Sequence, residues 1–91
     1  MNQSIVSEIK TALQELSIPE KAEIMQTFFK TGKGEYGEGD VFIGVAVPDQ
    51  RSVAKEFYKK ISLVELSQIL SSKVHEHRLT ALLLLVYKFE K

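Results

Sequence analysis

The chain has 91 residues, 44% of them hydrophobic and 26% charged, with no cysteine and a formal net charge of zero. That is material for one small folded domain or a segment of a larger one, and it argues against disorder. It excludes a disulfide framework and a thiolate metal site, and a neutral total points by itself neither to nucleic acid nor to a membrane.

The charge is unevenly spread. Residues 1–40 carry four lysines against seven carboxylates, and residues 41–91 carry eight basic residues against five acidic ones. The second half is therefore the better candidate for touching an anion. The longest apolar run, Ala81 to Tyr87, falls far short of the roughly 20 residues of a membrane span, and the start has no basic stretch followed by an apolar core. A cytoplasmic protein with no membrane partner is expected.

In chain order, Ile5, Ile9, Ala12, Leu13 and Leu16 recur at helical spacing and predict a first helix. "SIPE" follows, in which Ser17 and Glu20 form a capping box and Pro19 suits a first helical turn. A second helix carries Ala22, Ile24, Met25, Phe28 and Phe29, and Gly32 is placed to end it. All five glycines lie between Lys30 and Arg51. Gly32, Gly34 and Gly37 spell G-x-G-x-x-G, but the motif follows a helix rather than a strand, and Glu35, Glu38 and Asp40 would repel a phosphate. The acids also lack the spacing of a calcium loop. The expected role is geometric: an ordered cover whose Phe42, Ile43, Val45 and Val47 press between helices. Strand signals are confined to "DVFIGVAV".

Pro48 opens a third helix with Val53, Ala54, Phe57, Tyr58 and Ile61 as its apolar stripe. Ser62 and Glu65 form a second capping box, opening a fourth helix with Leu63, Leu66, Ile69 and Leu70. A fifth begins near Val74 or His75. The two boxes stand 45 residues apart, within the period of about 40–47 residues of HEAT or armadillo repeats. Residues 81–86 of the fifth helix have no polar side, so four preceding helices cannot enclose it and a further surface is expected to cover it. Phe28, Phe29, Phe57, Tyr58, Tyr87 and Phe89 are expected in the core. Tyr36 reads as a lid over it.

The aromatic pair Phe28-Phe29, the loop "GKGEYGEGDVFIGVAVPDQR" and the helix "HEHRLTALLLLVYKFEK" resemble the amino-terminal part of the DNA alkylation repair protein family, the HEAT-like repeat DNA glycosylases. The likeness runs from about Ile18 onward. Ala46 departs from it, standing where a basic residue is frequent, which removes a phosphate contact at that position. The resemblance implies an all-α array of HEAT-like or armadillo-like repeats, here five helices with one long glycine-rich loop, curved around duplex DNA. Residues 1–91 would form one amino-terminal segment of that array. The family excises bases alkylated on a ring nitrogen, such as 3-methyladenine and 7-methylguanine, with aromatic and acidic groups that it carries on later repeats. No catalytic residue is carried over, and the segment alone is expected to lack glycosylase activity.

Arg51, Lys55 and Lys59 recur at i, i+4 and i+8 along the third helix, with Lys73 and Arg78 as extensions. They read as either a solvated polar face or a set of contacts to DNA phosphates. His75 and His77 point apart on a helix, so no metal is expected, and no cofactor is implied. His75 reads as a capping or packing group, and Glu76 and Arg78 as partners of neighbouring residues. The expected partners are duplex DNA, in the context of the full protein, and a second copy through the last helix. The rival reading is a non-catalytic helical-repeat module for protein interaction or scaffolding.

Overall fold

The computed structural model describes residues 4–28, 34 and 39–90. Five helices make up an all-α fold: α1 (Ile5–Glu15), α2 (Pro19–Phe28), α3 (Val47–Phe57), α4 (Leu63–Leu70) and α5 (His75–Phe89). Their order and boundaries follow the apolar periodicity and fit the helical-repeat architecture. The extended signal in "DVFIGVAV" yields only an isolated parallel bridge, Val41 beside Val74. Gly32, Phe29 and Tyr36 lie outside the described residues.

Four helices share one core. Ile9 and Leu13 of α1 meet Val53, Ala54 and Phe57 of α3, Leu66 and Ile69 of α4, and Ala81 and Leu84 of α5, with Val45 and Ile61 filling between them. α3 and α5 run the same way. Val45 is level with Glu76, Gln50 with Thr80 and Tyr58 with Tyr87, while α4, which joins them in the chain, returns along α5 and not between the two. Lys88, in the last turn of α5, donates to the Ile61 carbonyl just past α3 and ties the far ends together.

Only one of the two capping boxes forms. Ser62 Oγ accepts from the Glu65 N–H, and the Glu65 carboxylate accepts from the Ser62 N–H, so α4 starts as its sequence predicts. Ser17 turns away from α2: its hydroxyl donates to the Gln14 carbonyl at the end of α1. The Ile18 carbonyl takes the first N–H groups of α2, from Lys21 and Ala22. Three residues between the helices leave Ser17 within reach of the α1 carbonyls, and that local bond wins. The 45-residue spacing of boxes therefore has no structural counterpart.

Three core assignments need correction. Phe28 is 74% exposed and Phe89 62% exposed, each as the last residue of its helix. Val47, the first residue of α3, is exposed as well, while Phe42 and Val45 are buried. On α5, Ala81 and Leu84 are buried, but Leu82 and Val86 are more than half exposed. The preceding helices thus leave one side of α5 uncovered, as the unbroken apolar run predicts.

Replacing Ser62 with Ala removes a working N-cap and is expected to cost about 1 kcal/mol. For a chain of this size that corresponds to a fall of roughly 4–8 °C in Tm, read by thermal circular dichroism. Ser17→Ala is expected to fall short of that shift, since its hydroxyl caps no helix start.

Candidate nucleic-acid interface

Arg51 and Lys55 are exposed on α3, while Lys59, expected on the same helix, is exposed in the turn just past its last residue, Phe57, and extends that edge. The inward row of the same helix is Gln50, Val53, Ala54 and Phe57, all buried, so the cations are the outward complement of a core-facing stripe. Two lysines lie along tyrosine faces. Lys55 Nζ is 5.9 Å from the Tyr87 ring centre and Lys59 Nζ 5.7 Å from that of Tyr58. The rings themselves meet at 6.0 Å between α3 and α5. Each ammonium thus lies over an aromatic face at cation–π range while its side chain stays exposed. Glu90 borders the shallow hollow that Lys55, Tyr58 and Tyr87 line.

Lys73, in the turn before α5, and Arg78, in its first turns, lie toward the Arg51 end of the parallel α3, since Gln50 is level with Thr80. Lys73 is exposed, and its carbonyl accepts from the Val41 N–H. Arg78 is committed elsewhere. Its Nη2 lies 2.9 Å from both carboxylate oxygens of Asp40, and Nη1 donates to the Ser72 carbonyl at 3.0 Å. Its charge is matched within the chain.

Beneath the α3 edge is a buried polar lock. The side chain of Glu76, with no exposed surface, accepts three consecutive backbone N–H groups: Ile43 on Oε1 at 3.1 Å, and Gly44 and Val45 on Oε2 at 2.9 and 3.3 Å. Gly44 has a φ of +80°, a left-handed turn that gathers successive N–H groups around one anion. Glu76 also lies in the first turn of α5, where the helix dipole favours negative charge. Buried Gln50 donates to the Val45 carbonyl and accepts from the Thr80 hydroxyl. No buried side-chain polar atom among the described residues lacks a partner.

A second layer of bonds surrounds the lock. The Val41 carbonyl accepts from the His75 N–H, and the His75 ring stacks on Phe42 with centres 4.7 Å apart. His77 is buried with Nδ1 2.8 Å from Ser72 Oγ, which itself accepts from the Val74 N–H. Burial lowers the pKa of His77 below its usual 6.5. The Lys10 ammonium of α1 lowers it further, against a smaller raising effect from Glu76. A neutral ring protonated on Nε2 lets Nδ1 accept the Ser72 hydroxyl proton. His75 thus packs and His77 anchors a turn. Among the described residues no three His, Asp or Glu side chains stand together as a metal set.

Sequence reasoning identified the α3 cations and missed Glu76, Gln50 and Gln26 as the residues that hold the loop. Two signals were present. Gln50 falls on the apolar row that continues to Val53, Ala54 and Phe57, and Glu76 shares a row with Thr80 and Leu84. A polar residue on a core row marks a buried hydrogen bond.

Glu76→Leu strands three backbone N–H groups and is expected to cost at least about 3 kcal/mol, whereas Glu76→Gln keeps one oxygen acceptor and should cost about 1–3 kcal/mol. Urea unfolding followed by circular dichroism measures both. For His77 the folded pKa lies below the unfolded one, so over that interval the unfolded chain binds more protons. Stability is then constant above the unfolded value and falls as the pH drops through the interval. Tm is expected to fall as the pH drops below 6.5, and His77→Gln should flatten that part of the profile.

A sequence profile described as DNA alkylation repair enzyme matches residues 9–91. Comparison with curated proteins and with solved structures gives no significant match. The profile spans all but the first eight residues, including the loop, the α3 edge and the Glu76 helix. The chain belongs to the DNA alkylation repair enzyme family.

Proposed function

We propose that this segment holds the phosphate backbone of duplex DNA along the Arg51–Lys55–Lys59 edge of α3, within a protein that excises N-alkylated bases of the 3-methyladenine and 7-methylguanine type. In that reaction the cationic base takes the electron pair of the glycosidic bond and leaves neutral, and water adds to the sugar carbon with loss of a proton. The observation that carries the reading is the set of exposed cations Arg51 and Lys55 on α3 and Lys59 in the turn after it, on a helix tied by Gln50 to the Val45 carbonyl, in a chain of an alkylation repair family. Phosphate contacts supply the sequence-independent part of such binding. Lys73, exposed in the turn before α5, remains a candidate. Arg78, turned to Asp40, contributes by fixing the loop rather than by adding a free charge.

Binding of a fluorescent duplex tests this. The dissociation constant should rise steeply with salt, and Lys55→Gln with Lys59→Gln should reduce the log–log slope by roughly 2 while weakening all duplex sequences alike. Salt-independent binding, or a slope unchanged by the double substitution, would overturn it.

One observation favours a protein-interaction role beside this one. Leu82, Val86 and Phe89 form an exposed apolar stripe on α5 at i, i+4 and i+7. Burying each such side chain is worth roughly 1.5–3 kcal/mol, so the chain gains by covering them. The 91-residue chain is expected to self-associate through this stripe, and Val86→Glu to return it to a monomer in multi-angle light scattering. A wild-type chain that stays monomeric at high concentration would count against the contact.

A further inference from the structure

α2 stands apart from the rest of the fold in how it is attached. It has no buried residue, and Ile24 and Phe28 on it are largely exposed. Among the described residues, none of its Cα atoms comes within 8 Å of another helix. What holds it is the stretch between Asp40 and Val45. The Ile18 N–H donates to the Gly44 carbonyl at 2.9 Å. Gln26 donates to the Asp40 carbonyl at 2.7 Å and accepts from the Phe42 N–H at 3.0 Å. Gly44 lets the backbones touch: a Cβ there would lie against the Ile18 carbonyl oxygen and 2.8 Å from the Ala22 nitrogen.

The same stretch is anchored twice over on its inner side, by Glu76 to Ile43, Gly44 and Val45, by Arg78 to Asp40 and by Gln50 to the Val45 carbonyl. These bonds run to α3 and α5 and do not involve α2. Removing α2 would break the outer set and leave the inner set whole. An apolar hollow lined by Ala22, Ile24, Gln26, Phe28 and Phe42 runs along the α2–loop contact, and separation there uncovers Phe42 as the one buried side chain of that lining. A ten-residue helix detached from its support is marginal in water and would melt as it left.

We infer that α2 is a strap that opens from the molecule as one cooperative unit, with Gln26 as its latch, while α1, α3, α4, α5 and the Glu76-held loop stay folded. Opening bares Phe42 and the outer edge of the loop without disturbing the α3 cations.

Native-state hydrogen exchange on the 91-residue chain, with increasing urea below the unfolding transition, tests this directly. The helical amides of α2 from Glu23 to Phe28 should exchange at least about a hundredfold faster than those around Leu84, relative to their intrinsic rates, and with a weaker urea dependence. Gln26→Ala, which removes two bonds, should speed α2 exchange a further tenfold or so and leave the Leu84 region unchanged. Glu76→Gln is the opposite control, speeding exchange in the core helices as well. The inference fails if α2 and α5 amides exchange with one common rate and one urea dependence, or if Gln26→Ala accelerates both regions equally.

Discussion

A single carboxylate organises this molecule. Three adjacent backbone N–H groups between Ile43 and Val45 have no sheet or helix to satisfy them, and Glu76 takes all three. Leaving such groups buried and unmet would cost on the order of 1–3 kcal/mol each, against a total stability of about 5–15 kcal/mol for a small domain. The bond set explains why an extended segment can run through a helical protein without a strand partner. It also fixes the start of α3, since Val45 lies only two residues before Val47. Gly44 is required twice here: its left-handed φ turns the N–H groups inward, and its bare Cα admits the backbone of Ile18.

From that anchor the cation edge acquires its rigidity. Gln50, bonded to the Val45 carbonyl and to Thr80, sits beside Arg51 on the first turns of α3. Further along, Lys55 and Lys59 lie against Tyr87 and Tyr58, which belong to α5 and α3. The parallel course of the two helices therefore carries the order imposed at Glu76 along the whole edge. Cations held on a fixed helix face lose less side-chain freedom on meeting a phosphate than cations on a loop would.

The helices were legible because their apolar rows and the Ser62 box act locally, within one or two turns. α5 showed its nature most plainly: six successive apolar residues could not all be inside, and Leu82 and Val86 are not. The family was legible from the glycine loop and the "HEHR" helix, but the purpose of those residues was not. Glu76 and Ile43 are 33 positions apart, and nothing periodic links them. A separation of 38 positions likewise hid Arg78 from Asp40, so a cation that reads as a phosphate contact turns out to be matched inside the chain. Ser17 misled for the opposite reason, because two short-range partners competed and the α1 carbonyl was nearer.

The two outward faces of the core do not compete. Tyr87 marks the side of α5 that meets α3 and its lysines. At about 100° per residue, Leu82, Val86 and Phe89 stand roughly 100–160° around the helix from Tyr87. A helix or second copy laid on that stripe would therefore leave the Arg51–Lys55–Lys59 edge open. The reverse also holds, since a duplex along α3 would not cover the stripe. The separation follows from how α5 is built. Its inward rows are used up by Glu76, Thr80, Ala81 and Leu84, its α3 side by Tyr87, and only the third side is left for a partner. A repeat that binds a polyanion on one side and stacks on another needs both surfaces at once, and fifteen residues of one helix supply the boundary between them.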